Sequence, residues 1–294
     1  MPIQPSEHLA TSGHQLSTRF PVWLCDLWGV VHDGRRIFPQ ACEALINHRN
    51  TGGCVVLITN APRPRHAIQG QMKGFGVPDD AWDDLVSSGD VTRELVRRRA
   101  GSNVYHLGPH EDAALLEGLP VNWTGLDEAQ AVLCTGLNHD GRDGGTPETP
   151  DDYRPVLAGM VARHLPFICA NPDKVVGVGG KLYPCAGSLA DIYQELGGAV
   201  EMAGKPYSPI YEVALARATE SMSRTIAGDE VLAIGDGIPT DVEGARANGL
   251  PVHFITGGIH AADNEGIEAE AIASGLQRKM PGLAVAGVAP GLVW

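Results

Sequence analysis

The chain has 294 residues, 43% of them hydrophobic and 19% charged, with a formal net charge of −13. This length suggests about two domains and a sizeable core, and the composition excludes a disordered chain. The acidic balance argues against a nucleic-acid or membrane-surface role for the molecule as a whole, but not against an anionic ligand, because the field at a site is set locally.

The first 20 residues lack a basic n-region and an apolar h-region; they are polar and read as a mobile arm or edge cover. Val22–Asp26 is predicted as a strand in which Trp23-Leu24-Cys25 runs into Asp26, with Gly29 shortly after. Such a strand delivers its carboxylate to the carboxyl edge of a sheet, where open α/β sheets bind ligands. Pro39–Arg49 follows as a helix. Cys54–Thr59 is a second strand, ending in a hydroxyl beside Asn60. A helix is expected over Arg65–Gly74, a strand over Trp82–Ser88 and a helix over Asp90–Arg99. The arginines of that last helix (Arg93, Arg97, Arg98 and Arg99) read as a solvated face.

From Ser102 a second series begins, with strand Asn103–Leu107, helix Glu111–Leu116 and strand Ala131–Cys134. His139–Pro150, rich in Gly, Asp and Pro, is a long loop. Helix Asp152–His164 leads to strand Pro166–Ala170, which runs into Asn171-Pro172-Asp173. Helix Gly187–Leu196 ends at Gly197-Gly198, a C-cap signature. The first series then resumes with the Gly204-Lys205-Pro206 loop, helix Pro209–Ala218 and strand Glu230–Ile234. Gly235-Asp236-Gly237 follows, then helix Asp241–Asn248 and strand Pro251–Ile255. Strand–helix alternation predicts a doubly wound, mainly parallel sheet. The long stretch between Thr59 and Lys205 leaves room for an inserted α/β domain. The expected division is an arm at 1–20, a discontinuous core at 21–101 and 199–262, an insert at 102–198, and a C-terminal segment at 263–294.

The six cysteines form no C-x-x-C, and several lie in apolar runs. They read as free thiols in a reducing cytoplasm, not as a disulfide framework. No apolar stretch is long enough to span a bilayer. The eleven histidines are scattered and form no H-E-x-x-H motif.

Asp26, Thr59, Lys205 and Asp236 with Asp241, in this order and each at or near a predicted strand end, resemble the four motifs of the haloacid dehalogenase (HAD) superfamily. The insert resembles the class IIA, NagD-like cap of that superfamily, on Cys169-Ala170-Asn171-Pro172-Asp173, Ala186-Gly187-Ser188-Leu189-Ala190, Gly197-Gly198 and Gly204-Lys205-Pro206. The resemblance runs from about Val22 to Gly258. It implies a Rossmann-like core with a class II cap, and a Mg²⁺-dependent phosphatase acting on a small phosphorylated metabolite. It further implies Asp26 as nucleophile, Thr59 as phosphate binder, Lys205 as stabilising base and Asp236 as a magnesium ligand. Asp241 would hold Lys205 or a metal-bound water. Asn60, Asn171 and Asp173 would meet the substrate. Class II caps often pair, which implies a homodimer.

The chemistry fits these residue types. A carboxylate takes a phosphoryl group as an aspartyl-phosphate, and Mg²⁺ prefers hard oxygen ligands and phosphate. A lysine and a hydroxyl stabilise the transferring oxygens. One position departs from the pattern. Members of the superfamily usually carry a second Asp two residues after the nucleophile, where this chain has Trp28. That residue's backbone carbonyl coordinates Mg²⁺ and its side chain protonates the leaving group. Trp28 keeps the carbonyl, but its indole N–H is no useful acid. The loss is worth about 10²–10⁴ in rate, and aryl or anhydride leaving groups need the proton least. Two alternatives follow: a weak scaffold that binds a phosphorylated ligand, and a dehalogenase-like hydrolase, against which the retained Asp236 and Asp241 argue. His32 and Asp33 read either as a surrogate acid or as a turn with a solvent-facing imidazole.

Overall fold

The structure is a computed structural model that describes residue 9 and residues 12–142, 144–178 and 181–294. Part of the arm expected at 1–20 lies outside the described residues. The strands, in chain order, are β1 (Val22–Asp26), β2 (Cys54–Thr59), β3 (Asp84–Ser87), β4 (Asn103–Leu107), β5 (Asn122–Trp123), β6 (Ala131–Cys134), β7 (Phe167–Cys169), β8 (Val175–Val178), β9 (Lys181–Pro184), β10 (Val200–Met202), β11 (Val231–Gly235), β12 (Pro251–Ile255) and β13 (Ala284–Ala289). The chain forms two compact units. One comprises Met1–Thr59, Gly70–Val86 and Pro206–Trp294, the other Asn60–Gln69 and Ser87–Lys205.

The first unit is built on a six-stranded sheet of order β13-β12-β11-β1-β2-β3. The β1 pairings with β2 and β11 are parallel, as are those of β12 with β11 and β13. Parallel central strands are covered on both faces, so they need continuous apolar sequence. Val22–Cys25 and Val231–Ile234 supply it and are buried throughout. The order places the switch point between β1 and β11: from β1 the chain winds outward through β2 and β3, and from β11 it winds the opposite way through β12 and β13. Cys25 pairs with Ile234, so Asp26 and Gly235 close the two strands side by side.

The second unit carries a five-stranded sheet, β10-β7-β6-β4-β5, with every pairing parallel. Val132, Cys134, Phe167 and Cys169 pack against Leu157 and Met160 of helix Arg154–Ala162 and Leu189 and Tyr193 of helix Ala186–Glu195. β8 and β9 form a separate antiparallel hairpin.

Several elements differ from the expectation. The segment set apart at 263–294 contributes helix Ala269–Lys279 and β13 to the first unit. Its small residues, Ala-Val-Ala-Gly-Val-Ala, give a faint strand signal. The described part of the arm holds helix Gly13–Ser17, whose Gly13 N–H donates to Val293 O at 2.6 Å. The helix expected at Glu111–Leu116 is a 3₁₀ turn, His110–Asp112, followed by one turn at Ala113–Leu116. The helix expected at Asp241–Asn248 is preceded by a π-helical turn, Ile238–Val242, and runs over Glu243–Ala247. Among the described residues no helix is long and apolar enough to cross a membrane.

Candidate active site

Asp26, Asp236 and Asp241 meet at the switch point of the first unit's sheet. Each offers a carboxylate oxygen, and these oxygens all lie within 4.8 Å of one another. The three residues are 6%, 5% and 2% exposed. Asp26 ends β1 and its Oδ1 accepts from the Leu27 N–H at 2.8 Å. Asp236 follows β11 directly, and its Oδ2 accepts from the Ile259 N–H at 2.6 Å. Asp241 is carried by the π turn, in which the Gly237 carbonyl accepts from both Asp241 N–H and Val242 N–H. Its Oδ2 accepts in return from the Gly237 N–H at 3.0 Å. Such turns often occur at functional sites; here the extra residue folds the Asp241 carboxylate back over the end of β11.

Glycine makes room for this cluster. At Gly29, where φ is +85°, a Cβ would stand 2.1 Å from Asp236 Oδ2. At Gly258 it would stand 1.8 Å from the same oxygen. Both positions therefore exclude any side chain, and the Gly258-Ile259 loop grips Asp236 from the far side. Gly258 and Ile259 had no role in the sequence reading. Their signal was the Gly257-Gly258 pair just beyond a strand end.

Three like charges this close repel by about 3–4 kcal/mol per pair at an effective dielectric near 20. Burial adds desolvation to that cost. A small cation with hard oxygen preference relieves both, so the donor set fits a divalent ion.

Trp28 sits at the edge of the cluster's loop. Its indole lies over Gly34, where φ is +81° and a Cβ would stand 2.3 Å from the ring. The Trp28 ring meets His32 edge-on at 5.4 Å, and His32 leans on Phe75 at 5.2 Å. His32 is 5% exposed, which overturns the solvent-facing reading. Its Nδ1 stands 3.1 Å from the Gly34 N–H and accepts from it, so the neutral ring carries its proton on Nε2. Burial lowers its pKa below the ordinary imidazole value, opposed by the nearby Asp33 carboxylate. A neutral, packed imidazole is a poor proton donor, so His32 reads as a support for Trp28.

Thr59 ends β2 one residue beyond Ile58, the partner of Asp26 in the sheet, and is buried. Asn60, Asn171, Asp173 and Lys205 belong to the second unit. Lys205 is 2% exposed. The Asn60 side chain accepts from the Lys205 N–H at 2.7 Å and donates to the Lys205 carbonyl at 3.1 Å and to Asp173 Oδ1 at 2.8 Å. Asn171 Oδ1 accepts from the Asp173 N–H at 3.0 Å. Ser88, which sequence reasoning passed over, ties the same region: its hydroxyl is 2.9 Å from the Asn60 carbonyl and 2.5 Å from that of Ala170.

The class so defined is a doubly wound α/β fold with a hard-cation donor set at its switch point. Residues 23–122 match the model of haloacid dehalogenase-like hydrolases, and residues 202–278 match a HAD-hydrolase-like model. A solved haloacid dehalogenase-like hydrolase from Brucella suis is 40% identical, with a TM-score of 0.84 over 97% of this chain and 100% of that one. The ribonucleotide monophosphatase NagD of Escherichia coli is 26% identical over 245 residues, 82% of this chain and 89% of that protein. A glycerol phosphate phosphatase from Mycobacterium tuberculosis, solved with magnesium, shares the fold at 23% identity and a TM-score of 0.66, over 92% of this chain and 76% of that one. The chain belongs to the haloacid dehalogenase-like hydrolase family, in its NagD-like phosphatase branch.

Proposed function

We propose that the protein is a Mg²⁺-dependent phosphatase that cleaves a small phosphorylated metabolite through an aspartyl-phosphate on Asp26. The observation that carries this reading is the buried cluster of Asp26, Asp236 and Asp241 at the switch point. Asp26, Asp236 and the Trp28 carbonyl would hold Mg²⁺, with Asp241 steadying a bound water or Lys205, and the ion supplies the charge that lets a phosphate approach a carboxylate.

An Asp26 oxygen attacks phosphorus, the ester P–O bond breaks, and the leaving oxygen departs with the bonding pair. Water then cleaves the acyl phosphate, releasing inorganic phosphate and restoring Asp26. Thr59 donates its hydroxyl to the transferring oxygens, and Lys205 adds positive charge, a role resting on motif order. By the same motif resemblance, Asn171 and Asp173 are read as substrate-facing polar groups. With Trp28 offering no acid and His32 packed and neutral, the reading favours leaving groups that are stable as anions, aryl or anhydride over alkyl. The buried, free cysteines suit a reducing cytoplasm, and the active form is a homodimer.

Hydrolysis of p-nitrophenyl phosphate with Mg²⁺ and with excess EDTA tests the proposal. Turnover that requires the metal supports it, and metal-independent turnover of the pure protein overturns it. Trp28 also favours a second reading, a scaffold that holds a phosphorylated ligand with negligible turnover. Saturable phosphate binding with no turnover on any ester would select that one.

A further inference from the structure

We infer that Asn60 is the positioning residue for Lys205. The inference rests on the reading above, in which Lys205 acts on the transferring phosphate.

The Asn60 side chain is 4% exposed, and both of its polar atoms are engaged. Oδ1 takes the Lys205 N–H and Nδ2 reaches the Lys205 carbonyl, so one amide closes on both backbone groups of that residue. This reproduces with a side chain the two-bond pairing that neighbouring strands make through their backbones. The second hydrogen of Nδ2 goes to Asp173 Oδ1 at 2.8 Å. Asp173 is held in its turn by Asn171, and the Asn60 carbonyl accepts from Ser88. Nothing larger than glycine fits before the lysine: a Cβ at Gly204 would stand 2.3 Å from Asn60 Oδ1 and 2.9 Å from Pro172 Cδ.

The amide is therefore consumed in fixing the Gly204-Lys205 backbone. A surface loop carrying a lysine would leave its ammonium to wander over several ångströms. Here the main chain at Lys205 is held from two directions before any ligand arrives, and that lowers the ordering cost in the transition state. A residue with this task acts on kcat. A residue that binds substrate acts on KM, and by an amount that depends on the substrate.

The experiment compares Asn60→Ala and Asn60→Asp with wild type on p-nitrophenyl phosphate and on glycerol phosphate, with thermal melts of each. Asn60→Asp keeps the shape and the acceptor for the Lys205 N–H but loses both donated bonds and faces Asp173 with a like charge. It carries the test if the alanine variant does not fold. The expected result is a fall in kcat of about 10- to 100-fold, by the same factor on both substrates, with KM changed less than about threefold. Adding Asp173→Asn to Asn60→Asp returns one donor to the pair, and part of the lost kcat should come back. A folded variant with wild-type kcat overturns the inference, as does a rise in KM alone or no recovery in the double variant. Lys205→Ala separates the two levels. If it retains full turnover while Asp26→Asn has none, the inference falls and the nucleophile stands. If Asp26→Asn also turns over normally, the reading it rests on falls with it.

Discussion

Asp26 is a nucleophile only if its charge and shape are both needed. Asp26→Asn keeps the shape, and the Leu27 N–H still has an oxygen to meet. Turnover should drop to background with little change in melting temperature, and normal turnover in that variant would exclude an acyl-phosphate route. Gly258→Ala tests the second carboxylate differently. The added methyl would collide with Asp236 Oδ2 and turn it away from the cluster, so Mg²⁺ affinity should weaken about 10- to 100-fold. A Mg²⁺ titration of activity reads this, and an unchanged half-saturation point would disprove the grip. Trp28→Asp offers an acid where none exists. Alkyl phosphate hydrolysis should rise more than aryl phosphate hydrolysis, because only the alkoxide needs a proton. A folded variant with no alkyl gain sinks the missing-acid account.

At this scale the sequence was most legible where chemistry constrains residue type. Asp26, Asp236 and Asp241 announced themselves as acids at the ends of apolar runs, and they meet in the structure. Asn60 was legible as a polar residue at a strand end, but the target of its amide lies far along the chain, and no local pattern encodes a partner at that distance. The packing of His32 was hidden for a similar reason: besides Trp28 on its own loop, burial there depends on Phe75, which arrives from the end of helix Arg65–Phe75.

Among the elements, long apolar strands were read well because a parallel sheet covered on both faces demands continuous hydrophobic sequence. β12 spans Pro251–Ile255, as its pattern indicates. Short or small-residue strands escaped. β5 has two residues, β10 has three, and β13 is built on alanine, valine and glycine, so none shows a period long enough to count. Helix Ser88–Arg97 shows what local chemistry adds. Ser87 caps it by accepting from the Asp90 N–H, while Asp90 accepts from the Ser87 N–H, a reciprocal box. Ser87→Ala should cost about 1 kcal/mol of stability. Because the Ser87 hydroxyl also bonds the Arg63 carbonyl at 2.6 Å, the loss should exceed that of a cap alone. Denaturant unfolding measures it, and a loss under about 0.3 kcal/mol would contradict the assignment.

The molecule as a whole carries an acid sensitivity in its first unit. His48 is fully buried, its ring stacked on Trp23 at 3.9 Å, and His253 is 2% exposed. Burial lowers both imidazoles to a pKa of about 4. The unfolded chain therefore takes up protons near pH 6.5, while the folded chain resists until about pH 4. Stability from this source is complete above pH 6.5 and falls as pH drops toward 4, by on the order of 3 kcal/mol per histidine. Urea midpoints at pH 7 and pH 5 should differ accordingly, and equal midpoints would rule it out. Replacing His48 with Gln should flatten the dependence.

The position of the switch point also sets an order of events during synthesis. The strand bearing Asp26 leaves the ribosome before most of the second unit, whereas Asp236 and the Gly258-Ile259 grip emerge only after all of it. Domains tend to form as they emerge, so the five-stranded sheet can close while β1 still waits for its neighbour β11. Until then Asp26 has neither acidic companion with which to hold an ion. A chain stalled before residue 236 would contain a finished sheet and an idle carboxylate, and on the proposed function the ability to capture a cation would mark the passage of Gly258 out of the exit tunnel.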